Sequence, residues 1–192
     1  MLRNPLVRVG AVVALVIAAG LIAWLVIGNS DSSSSATPTT TTPAATTPPT
    51  TTVAQTGPVN LSAAGLKTLA GAVGQPIYWA GPTSNVMYEL TRNSTAKVYV
   101  RYLPFGVEAG APKGDYLIVA TYPFPGAYEA LQKVAGGQEQ TVPGGGIALV
   151  DAGYPQSVHI AFPGVDYQLE VYDPSPQRAL EVAVSGDVQP VG

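Results

Sequence analysis

From Val9 to Ile27 the chain reads VGAVVALVIAAGLIAWLVI, nineteen residues without a charge. As a helix rising 1.5 Å per residue this run would be roughly 28 Å long, close to the ~30 Å hydrocarbon core of a bilayer. A helix packed on a soluble core needs a polar face, and this segment offers none. The run is longer than the roughly 7–15 apolar residues of a cleaved leader, and no A-x-A site follows Leu25-Val26-Ile27-Gly28. Residues 9–27 are therefore expected to be an uncleaved transmembrane signal anchor. Arg3 and Arg8 precede it, and the first charge after it is Asp31, so residues 1–8 are expected to form a cytoplasmic tail, with the rest of the chain outside the cell membrane. Such a tail is too short to fold as a domain. A signalling role would then have to act outside the cell or through a partner's membrane helices.

Residues 28–57 change character. The stretch 30–57 holds eleven Thr, five Ser and four Pro, and only Val53 is strongly apolar. Such a composition buries too little to offset its ordering entropy, so a disordered Ser/Thr/Pro-rich linker is expected. It would span roughly 30 Å as a coil and up to about 85 Å as polyproline II. The Thr/Pro run is also of the kind that carries O-glycans.

Residues 58–192 are the length of one domain. They contain seven Lys and Arg against eleven Asp and Glu, about half the charge density of an ordinary soluble domain. The whole chain has a net charge of −3 and a pI near 5.0, so it lacks the basic balance of a nucleic-acid binder. It has no cysteine, which excludes disulfides and thiolate-ligated metals.

Three stripes at helical spacing stand out: Leu66, Leu69, Ala70, Val73; Ala127, Ala130, Leu131, Val134; and Pro176, Ala179, Leu180, Ala183. Ser62 and Gly74 bound the first, Gly136-Gly137 end the second, and Asp173 or Ser175 opens the third, which Gly186 follows. Between them lie strand-like runs at 77–80, 87–91, 97–103, 116–122, 147–150, 158–162, 167–172 and 188–191. The connection 92–96 and the segment Phe162-Pro163-Gly164-Val165 carry hairpin chemistry. Tyr116–Ala120 is apolar on both sides and is expected at the centre of the sheet. The fold class read from these signals is α+β, a mostly antiparallel sheet with three helices on one face. A short internal echo links Leu69–Ile77 to Ala183–Val191: both run from a helix through Gly and Gln-Pro to a β-branched residue.

The segments Gly74-Gln75-Pro76-Ile77-Tyr78-Trp79-Ala80-Gly81-Pro82, Tyr88-Glu89-Leu90-Thr91, Val98-Tyr99-Val100-Arg101-Tyr102-Leu103-Pro104 and Tyr172-Asp173-Pro174-Ser175-Pro176 carry a resemblance. Over Gly65–Gly192 the chain resembles a group of uncharacterised membrane-anchored exported proteins of high-GC bacteria. The resemblance implies an envelope location and no particular activity. Val158–Val184 is also loosely similar to the outer domains of some sporulation or anti-sigma proteins.

The chemical motifs are sparse. Ser94-Thr95-Ala96-Lys97 matches the S-x-x-K of penicillin-binding enzymes, but that chemistry needs a helix start, and these residues read as a hairpin turn without S-D-N or K-T-G partners. His159, the only histidine, should face away from Val158 and Ile160. No Ser-His-Asp pattern accompanies it in proper context, and no metal-ligand spacing is present. Gly144-Gly145-Gly146 lacks the Lys-Ser/Thr of a phosphate loop. No catalytic residue, metal or cofactor is expected.

All ten tyrosines lie beyond residue 58, and strand propensity suggests that they line the sheet with hydroxyls in water. Lys97, Tyr99 and Arg101 share one strand face and are the candidate binding residues: an aromatic platform between two cations, suited to an anionic cell-wall polymer. The function expected is a non-catalytic binding or interaction module of the cell envelope, with a cell-wall polymer or another envelope protein as partner. The alternatives are an accessory subunit pairing its span through Gly10, Ala14 and Ala18, and an unrecognised envelope hydrolase.

Overall fold

A computed structural model describes residues 58–112 and 115–192. The expected tail, membrane anchor and linker, and the small-residue stripe of the anchor, lie outside them. Among the described residues no helix is long and apolar enough to cross a membrane.

The elements run β1 (Val59–Leu61), α1 (Ala63–Val73), β2 (Tyr78–Trp79), β3 (Val86–Arg92), β4 (Val98–Pro104), β5 (Ile118–Pro123), α2 (Ala127–Ala135), β6 (Gln140–Val142), β7 (Gly146–Val150), β8 (Ser157–Ala161), β9 (Tyr167–Tyr172), α3 (Pro176–Val184) and β10 (Gln189–Pro190). Eight strands form one sheet in the order β1-β3-β4-β5-β9-β8-β7-β6, and every pairing in it is antiparallel. The fold is thus α+β with an antiparallel sheet and three helices. The apolar run at 116–120 feeds β5, which lies fourth of the eight strands beside β9.

The caps explain the helix ends. The Gly65 N–H donates to Ser62 Oγ at 3.1 Å, and Gly74 closes α1 with φ of 73°. Pro176 occupies the first turn of α3 behind Ser175, whose Oγ accepts from the Arg178 N–H. Asp173 stands just outside the cap, accepting from the Ser175 N–H at 2.9 Å. In the β3–β4 turn, Asn93 Oδ1 accepts from the N–H groups of Thr95 and Lys97 and from the Thr95 hydroxyl. Ser94–Lys97 is therefore a side-chain-stapled hairpin.

The three helices do not share a face. Leu66 and Ala70 of α1 and Ala179 and Ala183 of α3 pack with Leu90, Val100, Val119, Val158, Ile160, Leu169 and Val171 in the main core. Ala127 and Leu131 of α2 pack instead with Ile147 and Ala161, the residues of opposite parity on β7 and β8. The reason is burial on both sides: every residue of β8 is buried, as are the first six of β4. One layer of helices cannot cover both faces of such strands.

The echoed segments meet. β10 pairs antiparallel with β2, Gln189 opposite Trp79 and Pro190 opposite Tyr78, and the Val191 N–H donates to the Ile77 carbonyl at 2.7 Å. Gln189-Pro190 forms β10 itself and Gln75-Pro76 lies just before β2, so the two echoed segments supply the two halves of one ribbon.

Candidate functional site

Alternation along β4 sends Val98, Val100 and Tyr102 into the main core and Lys97, Tyr99 and Arg101 to the second face of the sheet. The parity matches the sequence reading, but the expected open platform does not form. Arg101 keeps only 1% of its surface and Tyr99 8%. Arg101 Nη1 donates to Glu89 Oε1 at 2.9 Å, with both side chains buried. Its Nη2 donates to the Ala111 carbonyl at 3.0 Å, and its guanidinium lies 5.3 Å from the Tyr116 ring centroid. The Gly110 N–H donates to Glu89 Oε2 at 2.6 Å. The ion pair thus clamps the stretch after β4 onto the sheet, and that stretch covers the arginine. Lys97 is half-buried, its ammonium 5.2 Å from the Tyr122 ring.

The middle of this face carries several polar side chains. The register places Tyr99, Ala120, Glu170, His159 and Leu149 side by side across five strands. Tyr99 and Tyr122 meet edge to face at 5.9 Å. The Tyr122 hydroxyl donates to Glu170 Oε2 at 2.6 Å and the Ser157 hydroxyl to Oε1 at 2.7 Å. Burial, and then the Glu170 charge, push Tyr99 up to about 12, and the same causes push Tyr122 well above the ordinary tyrosine value. Both hydroxyls hold their protons further into the alkaline range than a tyrosine in water.

Beside these residues, His159 Nδ1 lies 2.9 Å from Gln168 Nε2. With the amide nitrogen as donor, Nδ1 accepts and the ring proton sits on Nε2, which faces Asp151 Oδ2 at 3.6 Å. The imidazole is the main influence holding the Asp151 carboxyl below its ordinary value, helped by the Gly153 and Tyr154 N–H groups and opposed by partial burial. Ser157, His159 and Asp151 are thus close in the fold without forming a nucleophile relay. The serine proton is directed at Glu170, and the histidine nitrogens face Gln168 and Asp151. Among the described residues no group of three His, Asp or Glu side chains is placed to hold a metal ion.

Several tyrosine hydroxyls expected in water are used inside the protein. The Thr83 N–H donates to the Tyr88 hydroxyl at 2.7 Å. The Ala80 N–H donates to the Tyr102 hydroxyl at 2.6 Å, and that hydroxyl donates to the Gly81 carbonyl at 3.1 Å. Rings of Trp79, Tyr88 and Tyr102 stack edge to face in sequence, with centroids 5.4 and 5.1 Å apart. These anchors fix the loop 81–85, which ends at Asn85 with φ of 59°. Across from it, the Phe105 N–H donates to the Asn85 carbonyl at 3.0 Å, and the Val107 N–H closes the next turn on Pro104. Phe105 is 81% exposed.

Neither loop is marked by the helical or strand periodicity of the sequence. The available signal was Phe105 between Pro104 and Gly106, since a proline that cannot donate to the ladder closes β4 and a glycine opens the turn after it. No protein-family model matches the chain, and no curated protein or solved structure matches it.

Proposed function

We propose that this chain is a membrane-tethered, extracytoplasmic binding domain of the cell envelope, without catalytic activity of its own. The observation that carries the reading is the way the second sheet face uses its ionisable groups. Glu89 is bonded to Arg101, Glu170 to Ser157 and Tyr122, and His159 is flanked by Gln168 and Asp151. These groups are turned on one another within the sheet, while the Tyr88 and Tyr102 hydroxyls tie down loop 81–85 and backbone bonds from Phe105 to Asn85 and from Val107 to Pro104 shape loop 104–107. A rigid sheet presenting preset loops is the usual architecture of a recognition module. The uncharged run 9–27 with Arg3 and Arg8 before it supports the tether and its orientation. Partners are a cell-wall polymer or another envelope protein.

The absence of cysteine makes the test direct. In cells expressing the full chain, a single cysteine introduced as Thr95→Cys should react with a membrane-impermeant maleimide before lysis. The protein should also stay in the membrane pellet after an alkaline carbonate wash. Labelling only after lysis, or release by carbonate, would overturn the reading.

A further inference from the structure

Resting on that reading, we propose that the paired loops 81–85 and 104–107 form a binding site for an uncharged polysaccharide, with Phe105 as the platform on which a sugar ring stacks. A phenylalanine left 81% exposed forgoes the burial that a ring of this size ordinarily gains. The ring stands on an ordered backbone: its own N–H is bonded to Asn85, and the turn behind it is closed from Val107 to Pro104, with Gly106 at φ of 92°.

The neighbouring loop is equally preset. Buried hydroxyls of Tyr88 and Tyr102 hold its start, and Asn85 is kept in the left-handed region. Asparagine takes this conformation more readily than other side-chain-bearing residues, and here it sets the turn that leads into β3. Thr83, Ser84 and Asn85 are exposed, and their side chains bond no other described residue. They are free to serve a ligand.

The chemistry selects the ligand class. Residues 81–87 and 103–107 carry no charge, and the single exposed carboxylate of Glu108 follows them, so the loops offer no cluster of charge to hold an ionic polymer. A pyranose offers polarised C–H groups on one face and hydroxyls around its rim. The first suit the electron-rich face of Phe105, and the second suit the amide and hydroxyls of Asn85, Ser84 and Thr83. A bilayer fits less well, because inserting the ring would strip water from these unpaired polar groups. Both loops are ordered before binding, which lowers the entropic cost of a weak, repeating contact.

The test uses the full chain in detergent micelles, sedimented with insoluble chitin, mannan and starch. The wild type should pellet with at least one of the three, and added salt should leave retention unchanged. Phe105→Ala should lower retention about tenfold, the loss expected on truncating one aromatic anchor, while Phe105→Trp keeps it. Asn85→Gly should also weaken retention without lowering the melting temperature, and Tyr154→Ala, at an exposed ring outside the two loops, should behave as wild type. Three outcomes overturn the proposal: no retention of the wild type on any of the polymers, Phe105→Ala pelleting like the wild type, or retention abolished by salt. A fluorescence shift of Phe105→Trp on phosphatidylcholine vesicles, uncompeted by the retaining polysaccharide, assigns the loops to lipid and also overturns it. Each leaves the cysteine-labelling result standing, so the binding site and the envelope location fail separately.

Discussion

Glu170 sits at 4% exposure with its oxygens taken by two different hydroxyls, Ser157 on one and Tyr122 on the other. Ser157→Ala deletes one donor without opening a path for water, so a carboxylate oxygen is left buried and unpaired. The expected loss is about 1–3 kcal/mol of folding stability, read as a lower urea midpoint. An unchanged midpoint would mean that Ser157 is not a significant donor to Glu170. The Glu89–Arg101 pair has higher stakes because both members are 1% exposed. Arg101→Met should cost about 3–5 kcal/mol by stranding Glu89, and Glu89→Leu in the same chain should restore much of it. Strictly additive losses in this double-mutant cycle would show the two side chains to be uncoupled. The period-2 pattern of β4 was enough to place Lys97, Tyr99 and Arg101 on a common face. It could not show that Arg101 is covered, because the cover is Gly110 and Ala111, bonded to Glu89 and Arg101 through their backbone, which carries no residue-specific signal. An alternating charge on a strand says which way a side chain points and nothing about what lies above it.

Among the elements, α1 and α3 share the large core, whereas α2 rests on the small cluster of Ala127, Leu131, Ile147 and Ala161. Local opening is cheaper where less apolar surface holds an element down. Amide protons of α2 should therefore exchange before those of α1 and α3, and Leu131→Ala should widen the gap while costing about 2–5 kcal/mol overall. Exchange of α2 in step with the other two helices would show that the small cluster is not a separate cooperative unit. The three helices were legible because each carries apolar residues at helical spacing and a capping serine or a glycine at one end or both, but on α2 the expected Val134 is exposed and Ala135 is buried in its place. The edge strands β1 and β6 were not, since three residues are too few to display a period. Nor could the stripe of α2 reveal its face: a helix presents the same pattern to either side of a sheet. The information lay in Ile147 and Ala161, whose need for cover becomes visible only once β7 and β8 are paired.

At the scale of the molecule, a domain with few charges uses tyrosine for much of its interior polarity. Tyr99, Tyr102 and Tyr122 join strand to strand or sheet to loop, and burial is the main cause raising all three above the ordinary value of 10.0, with Tyr99 reaching about 12. The neutral hydroxyl is the form the folded state favours. Below pH 10 both states hold the proton, and the shift leaves stability unchanged. Between about 10 and 12 the unfolded chain releases protons that the folded chain retains, so stability falls as pH rises. Alkaline unfolding should accordingly be steep, with the tyrosinate absorbance of these residues appearing together with the loss of near-UV circular dichroism. Tyr99→Phe removes one of the driving protons and should make that transition shallower, whatever it costs at neutral pH through the lost contact with Tyr122. If the tyrosinate signal of all ten residues developed in full near pH 10 with the near-UV spectrum intact, these hydroxyls would have to be in contact with solvent. The three-way junction of Tyr99, Tyr122 and Glu170 could not then be the tie across the centre of the sheet.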